Sequence, residues 1–340
     1  MKAVTAVVCL LSLTVAASAQ TPGAAQPVTV DNFVRAESDT YFGNLAKQSG
    51  GLGKLYHHRA PAQIDDQSVI RLNRDTLYSS AVFDLDAGPV IITMPDPGKR
   101  FMSVMSISQD HYASTAYGKG MHTFTRDKVG TRYVALGIRT FADPGDPEDV
   151  KKVHALQDAI KANQKGGPGK LELPVWDAAS QKIVRDALLV LGSTMPDFKK
   201  AFGTRNEVDP VRHLIGSAMG WGGNPDKDAM YLNVTPAKND GTTVYKLDVK
   251  DVPVESFWSV SVYNAQGYYE KNPQNAYSLN SVTAKKGSDG AIAIQFGGCD
   301  GKVQNCLPIM NGWNYTVRLY RPRAALLNGK WTFPESQAVN

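Results

Sequence analysis

Short segments in which apolar and polar side chains alternate constrain the fold of this 340-residue chain most strongly. Residues 79–85 place Ala81, Phe83 and Leu85 on one side of such a segment. Alternation with a period of two is typical of a β-strand with two unlike faces. Similar segments lie at residues 90–94, 101–108, 122–126 and 131–138. They predict a β-rich N-terminal domain over residues 31–141.

A second set of strand-like segments fills the C-terminal third of the chain. These segments lie at residues 230–235, 243–249, 256–263, 291–296 and 314–320. Turn sequences such as Asn239-Asp240-Gly241 and Ser288-Asp289-Gly290 separate them. Short strands with such spacing are typical of an antiparallel sandwich or a jelly roll. The sequence predicts a jelly-roll-like antiparallel β-sandwich over residues 221–334.

Helical patterns separate the two β-rich regions. Pro147 behind Asp146 has the positions of a first helical residue and its cap. A second helix is predicted at residues 177–191, with Ile183, Val184, Ala187, Leu188 and Leu191 on one side. The fold class expected is therefore a multi-domain, mainly β protein with a helical block over residues 142–220. A further helix is expected at residues 31–47.

The start of the chain has the pattern of a secretory signal peptide over residues 1–19. It combines Lys2, an apolar run at residues 4–15, and Ala17-Ser18-Ala19 before Gln20. The run has about a dozen residues, fewer than the roughly 20 of a membrane-spanning helix, and no later segment supplies such a helix. We expect a periplasmic or secreted protein without a transmembrane segment after signal removal. Residues 20–30 would form a flexible tail.

Charge and cysteine content narrow the classes of partner. Without residues 1–19, 36 basic residues face 32 acidic ones, because only Lys2 of the 37 is lost. The excess is spread along the chain, so nucleic acid is not an expected partner.

In an oxidising compartment Cys299 and Cys306 are predicted to form a disulfide, with two reduced thiols as the alternative. The six histidines lack the spacing of a metal site, so no metal ligands are predicted.

Polar side chains are concentrated at Asn73-Arg74-Asp75-Thr76-Leu77-Tyr78. One interpretation is a turn held by its own side chains, since Asn and Asp bond to nearby backbone. The other is a site in which the planar guanidinium of Arg74 holds an anionic or carbonyl group. Both interpretations are kept at this point.

The loop at Gln109-Asp110-His111-Tyr112 is a candidate companion of this stretch. His111 is the side chain that titrates nearest neutrality, so it suits acid–base chemistry. The predicted catalytic residues are Asp75, His111 and Tyr112, and we expect them to meet in one pocket. Aromatic strand residues either fill the core or line such a pocket. The predicted substrate-binding residues are Asn73, Arg74, Tyr78, Trp258, Tyr263 and Arg318.

Several motifs resemble a known pairing, the domain of unknown function 1254 followed by the domain of unknown function 1214. The N-terminal resemblance lies in residues 73–79, in Ile92-Thr93-Met94-Pro95-Asp96 and in residues 109–112. The C-terminal resemblance lies in residues 257–263, 305–308 and 317–322. One departure is Cys306, where the family usually has Trp-Leu-Pro after the asparagine. The resemblance implies a two-part protein with a C-terminal β-sandwich and implies no established reaction.

Three functional hypotheses follow. The first is a small-molecule-binding protein that acts as an enzyme on a small organic compound in an inter-domain pocket. The second is a non-catalytic envelope binder of a carbohydrate or an amphiphile. The third is a structural assembly module. The expected partner is a small-molecule ligand, a homo-oligomer is an alternative state, and the cofactor is unknown.

Overall fold

The computed structural model describes residues 24–67 and 70–339. The predicted signal peptide and residues 20–23 of the predicted tail lie outside these residues. The described part of that tail is anchored: the Gln26 amide donates to the Val175 carbonyl (2.7 Å), and Val28 is buried. No helix within the described ranges is long and apolar enough to cross a membrane.

The N-terminal part is built on a five-stranded sheet. Its strands are β1 (Tyr56–His57), β2 (Thr76–Asp84), β4 (Met102–Ser108), β5 (Ala113–Tyr117) and β7 (Tyr133–Phe141), with β3 (Val90–Met94) and β6 (Gly120–Phe124) in a second sheet. The spatial order of the large sheet is β1-β2-β7-β4-β5, and every neighbouring pair is antiparallel. Since β2 and β4 both run antiparallel to β7, they run parallel to each other.

The two faces of this sheet have different partners. One face buries Ala81, Phe83, Val104 and Leu136 against Ile92 of the second sheet. The opposite face is covered at one end by helix α1 (Phe33–Ser49) through Phe42. At its other end this face meets the C-terminal domain.

The predicted helical block contains helices and one strand. The helices are α3 (Pro147–Ala159), α4 (Ala178–Gly192) and α5 (Pro210–Met219), following the short α2 (Arg126–Val129), and the strand is β8 (Lys161–Asn163). Asp146 and Asp177 cap α3 and α4 through their carboxylates. Strand β8 pairs with β3, so a short part of this region belongs to the N-terminal sheets.

The C-terminal part is a sandwich of two four-stranded sheets. Its elements are β9 (Ala229–Val234), β10 (Tyr245–Val249), β11 (Trp258–Tyr263), β12 (Ser278–Asn280), β13 (Ile292–Phe296), β14 (Cys306–Leu307), β15 (Asn314–Tyr320), α6 (Ala324–Leu327) and β16 (Gln337–Ala338). The sheets have the orders β14-β13-β10-β16 and β12-β11-β15-β9. Their strands pair antiparallel except β13 with β14. The prediction of a multi-domain, mainly β fold with a C-terminal sandwich is confirmed.

Two further features of the sandwich agree with the sequence. Its core packs Trp313, Tyr315 and Phe296 between the sheets, where alternate residues of each strand point. Cys299 and Cys306 form the predicted disulfide, with their Cα atoms 5.6 Å apart. The disulfide ties the start of β14 to the loop that precedes it.

Candidate functional site at the domain interface

The stretch Asn73–Tyr78 is both a self-bonded turn and a domain contact. The side-chain Oδ1 of Asn73 accepts from the Asp75 backbone amide (2.8 Å), as the turn interpretation predicts. Its Nδ2 donates to the hydroxyls of Tyr78 and Tyr320, both at 3.1 Å. Tyr320 lies on β15, so Asn73 connects the two domains.

Asp75 is enclosed at the same interface. Its Oδ2 accepts hydrogen bonds from Ser259 Oγ (2.5 Å) and from the Tyr320 hydroxyl (3.0 Å). Burial raises the pKa of the Asp75 carboxyl, while the charge of Arg318 and the two hydrogen bonds act in the opposite direction. The carboxyl group therefore links strand β2 to strands β11 and β15.

Arg318 has the same kind of role from the other side. Its guanidinium donates to Ser261 Oγ (2.9 Å), the Tyr263 hydroxyl (2.7 Å) and the Arg71 carbonyl (2.8 Å). The Tyr263 hydroxyl in turn donates to the Leu72 carbonyl (2.7 Å). Arg318 and Tyr263 thus bind the loop that leads into the predicted site.

Of the other predicted binding residues, Arg74 also contacts both domains, whereas Trp258 does not face the interface. Arg74 donates to the Ala62 carbonyl and lies 5.3 Å from the centre of the Tyr277 ring. Trp258 points into the sandwich core, where it packs edge-on against Phe333. Trp258 is therefore on the opposite side of β11 from the interface.

His111 is buried in a separate cluster. Its Nε2 accepts from the Gly222 amide (2.8 Å), which places the ring proton on Nδ1, 2.8 Å from Ser217 Oγ. Burial lowers the pKa of His111 to about 3, and the neighbouring His213 acts in the same direction. Both ring nitrogens are engaged, and the neutral ring holds the turn at Gly222.

Tyr112 lies beside this cluster at the surface. Its ring stacks on His213 with 4.9 Å between the ring centres. It lines a cavity of about 310 Å³ together with Asp110, Lys128 and Arg205. Asp110 is paired with Arg35 of α1.

The structure does not bring Asp75 and His111 within hydrogen-bond reach. Asp75 precedes β2 at the end where Thr76 pairs with Phe141. His111 follows β4 at the end where Ser108 pairs with Val134. Because β2 and β4 run parallel beside β7, the two residues lie at opposite ends of the sheet. The expectation of one shared pocket is corrected by this strand direction.

Arg139, a residue that we did not predict, lies between these two groups. It pairs with Tyr78 on β2 and with Ser103 on β4, and Ser103 pairs with Tyr117 on β5. Directly paired residues share a face of a sheet. Tyr78, Arg139, Ser103 and Tyr117 therefore form one row that faces the C-terminal domain. In the sequence, Arg139 is recognisable as a single charged residue within the apolar run of residues 133–141.

The guanidinium of Arg139 is nine-tenths buried with few partners. Its residue exposure is 9%, and the hydrogen bond found within residues 24–67 and 70–339 is from Nη2 to the Gly222 carbonyl (3.1 Å). No carboxylate in the same ranges lies within ion-pair distance. Burial lowers the pKa of Arg139, but nearby Tyr78, Tyr231 and Tyr320 outweigh it, so the pKa stays above its ordinary value.

A recess lies next to Arg139 on the same face of β7. Gly137 is two residues away and partly exposed, although the strand around it is buried. A Cβ atom added to Gly137 would meet no atom within 4 Å. Ser80 pairs with Gly137, and its buried hydroxyl has no hydrogen-bond partner among the described residues. The recess thus has an unpaired hydroxyl on one side and a guanidinium at one end.

A larger groove lies nearby between the two domains. Its volume is about 570 Å³, and it is lined from both sides, by Phe101 of one domain and Phe257 of the other. Their ring centres are 5.5 Å apart. At the rim the Arg321 guanidinium lies 4.6 Å from the centre of the Tyr117 ring and is paired with Glu255. Tyr117 therefore belongs both to this groove and to the row that contains Arg139.

Metal-binding geometry is absent from the part of the chain that the structure describes. No three His, Cys, Asp or Glu side chains are grouped there as metal ligands. The interface offers guanidinium, phenol, hydroxyl, amide and carboxyl groups.

Comparisons with known proteins match each domain separately. The family described as Protein of unknown function (DUF1254) matches residues 52–123. The family described as Protein of unknown function (DUF1214) matches residues 229–324. Neither description states an activity, and no curated protein matches the chain.

Two solved structures share the fold. The VPA0106 protein from Vibrio parahaemolyticus is 19% identical, with a TM-score of 0.71, over 92% of this chain and 98% of that one. A putative uncharacterized protein from Burkholderia cenocepacia is 13% identical, with a TM-score of 0.50, over 91% of this chain and 86% of that one. At these identities the likeness concerns the fold alone. The match to DUF1254 thus precedes the match to DUF1214 along the chain, which is the two-domain pairing that the sequence motifs indicated.

Proposed function

We propose that this protein binds a small organic anion between its two domains, with Arg139 as the anion-binding residue. The observation that carries the proposal is a guanidinium that is nine-tenths buried and that, among the described residues, has a single hydrogen bond, to the Gly222 carbonyl. Buried charges in proteins are normally paired. A bound carboxylate would supply the missing partner, because its two oxygens match the planar fork of arginine.

Arg318 shows what a structural arginine looks like at this interface. It is as deeply buried as Arg139, yet it donates to two hydroxyls and two backbone carbonyls. The same environment thus satisfies the guanidinium of Arg318 and leaves most donors of Arg139 without an acceptor in the part of the chain that the structure describes. This contrast supports a ligand at Arg139.

The surroundings of Arg139 favour an organic ligand with an aromatic or flat body. The Tyr78 ring centre lies 5.5 Å from the guanidinium carbon, and Tyr231 and Tyr320 contribute to its electrostatic environment. Tyrosines offer flat apolar faces together with hydroxyl donors. The recess at Gly137 leaves room beside them, with the Ser80 hydroxyl on its wall.

The residues predicted from the sequence would then position Arg139. Asn73 donates to the Tyr78 hydroxyl, and His111 holds the Gly222 amide while the Gly222 carbonyl accepts from Arg139. The Asp75 carboxyl is enclosed by Ser259 and Tyr320, and both nitrogens of His111 are engaged. This arrangement supports binding over catalysis, so we propose the non-catalytic alternative.

A thermal-shift screen of the wild-type protein and of Arg139→Met tests the proposal. The probes are sodium salts of acetate, succinate, benzoate, phosphate and sulfate. We expect at least one carboxylate to raise the melting temperature of the wild type and to leave Arg139→Met unshifted. A ligand at 100 times its Kd stabilises a protein by about 2.7 kcal/mol, which such a screen resolves.

Arg126→Met is the matched control, because Arg126 forms a surface ion pair with Asp86, beyond the end of β2 that lies away from Tyr78. It should respond to the anion as the wild type does. Equal shifts in wild type and Arg139→Met would assign the effect to general salt stabilisation and overturn the proposal. So would the absence of any shift with a broader carboxylate library.

The inter-domain groove supports a second candidate function, the binding of an amphiphile. Its volume of about 570 Å³ lies within the range of ligand pockets, and its aromatic floor suits an apolar body. Val282 lines the groove with 58% exposure, so Val282→Trp should block it. Val175→Trp is a control with 59% exposure outside the groove. Binding of a detergent-like probe that survives Val282→Trp would contradict this second function.

We also propose that the protein acts in the periplasm or after secretion. The Cys299–Cys306 disulfide supports an oxidising compartment. Mass spectrometry of the native protein should find an N-terminus at Gln20. An intact N-terminus with reduced cysteines would contradict this localisation.

A further inference from the structure

Tyrosine side chains of both domains lie around the guanidinium of Arg139. Tyr78 pairs with Arg139 across β2 and β7. Tyr231 comes from the C-terminal domain, where it pairs with Arg318 across β9 and β15. Directly paired residues share a face of a sheet, and Arg318 faces the N-terminal domain, so Tyr231 faces it as well. Arg139 thus has phenol groups on two sides.

One turn holds both Arg139 and Tyr231. The Gly222 carbonyl accepts from Arg139 Nη2 (3.1 Å), and Asn224 Nδ2 donates to the Tyr231 hydroxyl (2.7 Å). The Cα atoms of residues two apart in a chain are separated by at most about 7 Å. The effect of Tyr231 on the pKa of Arg139 agrees with this proximity. The two groups are anchored at neighbouring points of the turn, so one small ligand can reach both.

Two phenol hydrogens beside Arg139 have no acceptor in residues 24–67 and 70–339. The Tyr78 hydroxyl accepts from Asn73 Nδ2 (3.1 Å), and the Tyr231 hydroxyl accepts from Asn224 Nδ2. The orientation of the Asn73 amide is fixed, because its Oδ1 accepts from the Asp75 backbone amide. Each phenol can donate one hydrogen in addition to accepting. Both tyrosines therefore have a donor left for a ligand.

Two other tyrosines near Arg139 donate to carboxylates instead. Tyr320 donates to Asp75 (3.0 Å), and Tyr117 donates to Asp228 (2.9 Å). Neither carboxylate is within ion-pair distance of Arg139 in the described ranges. A ligand group bound next to the guanidinium would thus meet hydrogen-bond donors and a positive charge.

We propose, on the basis of the proposed function, that the ligand of Arg139 is a carboxylic acid with an acceptor oxygen on the neighbouring carbon, of which a 2-oxo acid is the simplest. Its carboxylate would bind the guanidinium through two parallel hydrogen bonds. The adjacent oxygen would accept from the Tyr78 and Tyr231 hydroxyls, since a carbonyl oxygen has two lone pairs. One guanidinium balances one negative charge, so a monoanion fits the site.

Two close analogues should bind less well. A plain carboxylic acid leaves the phenol hydrogens without an acceptor, and a site built to hydrogen-bond a substrate group discriminates against ligands that lack it. An amino acid places an ammonium group beside the guanidinium of Arg139, and like charges at such a distance repel each other. The order of affinity expected is therefore 2-oxo acid, plain acid, amino acid.

Thermal-shift titrations with pyruvate, propionate and L-alanine test this order, because the three acids have nearly the same size. Pyruvate should bind the wild type about tenfold more tightly than propionate, which corresponds to about 1.4 kcal/mol. Phenylpyruvate, 3-phenylpropionate and L-phenylalanine should repeat the order with an aromatic body. Equal affinities of pyruvate and propionate would overturn this inference and leave the proposed function standing. A stronger response to L-alanine would assign its ammonium to a carboxylate and would also overturn it.

Tyr231→Phe tests the residue that supplies the donor. It should reduce the preference for pyruvate over propionate, because one of the two phenol donors is lost. Tyr245→Phe is the matched control: its hydroxyl also accepts one hydrogen bond, from the Lys238 amide (2.9 Å), but it lies on β10 in the other sheet of the sandwich.

The control should keep the full preference, and an undiminished preference in Tyr231→Phe would contradict the inference. If Tyr231→Phe does not fold, the comparison of the three acids on the wild type decides. A response to pyruvate that persists in Arg139→Met would overturn the proposed function and this inference together.

Discussion

Tyr78 and Arg139 face each other across the neighbouring strands β2 and β7, with the guanidinium carbon 5.5 Å from the centre of the phenol ring. The phenol hydroxyl is held by Asn73, and the guanidinium is held by the Gly222 carbonyl. The two loops singled out in the sequence are thus connected through this pair, although Asp75 and His111 do not meet. The pair lies where the first domain meets the second.

Arg139→Met should leave the free energy of unfolding unchanged or raise it slightly. The substitution removes a buried charge that has no ion-pair partner among the described residues, and an apolar side chain of similar length suits that position. Urea unfolding without added anion measures the effect. A decrease of more than about 3 kcal/mol in the free energy of unfolding would contradict this prediction. It would show that protein groups pair with the Arg139 charge and that Arg139 stabilises the fold.

Arg318→Met should behave in the opposite way. It would leave the Tyr263 hydroxyl, Ser261 Oγ and the Arg71 carbonyl without the donor that Arg318 supplies. We expect a loss of about 3–5 kcal/mol, the usual cost of removing one member of a buried charged network. The same urea experiment measures it, and similar stability in both arginine variants would refute the distinction between them.

Gly137→Val should separate binding from stability. The Cβ position at Gly137 is free of neighbours, and valine suits a strand, so the variant should be at least as stable as the wild type. Its side chain would fill the recess beside Arg139 and abolish the melting-temperature shift caused by a carboxylate. The control is Gly287→Ala, away from the recess. Gly130→Val cannot serve as a control, because Gly130 has a φ of 86°, which valine does not adopt without strain. An unchanged ligand response in Gly137→Val would place the anion elsewhere.

His111 should make the protein less stable in acid. The pKa of His111 is about 3 in the fold against 6.5 for an ordinary histidine. Between these values the unfolded chain binds a proton that the folded chain excludes, so stability is complete above about pH 6.5 and falls as the pH decreases toward 3. His111→Asn should flatten this dependence, and asparagine tolerates the φ of 62° at this position. Urea unfolding at pH 4, 5.5 and 7.5 compares the slopes; equal slopes would contradict the prediction.

The disulfide should have a moderate effect on stability. Its cysteines are seven residues apart, and closing so short a loop contributes about 2–3 kcal/mol in the chain-entropy account. The Cys299→Ser/Cys306→Ser variant should therefore melt at a lower temperature but keep its carboxylate response. Loss of that response with an intact fold would link the disulfide to the site.

The sequence by itself determined the order of the domains, because alternation along a strand and periodicity along a helix are local properties. It indicated the disulfide, and it gave a turn at Asn73 and Asp75 as one of two interpretations, since an asparagine side chain can bond backbone two residues away. Only the tertiary structure decided which buried polar groups are satisfied. The register of β7 places Arg139 beside Tyr78, and the packing of β11 and β15 gives Arg318 its acceptors and Asp75 its donors. Strand direction separates His111 from Asp75, and the contact of Gln181 with Glu37 turns the apolar face of α4 outward. These relations join residues far apart in the chain, and no local pattern records them.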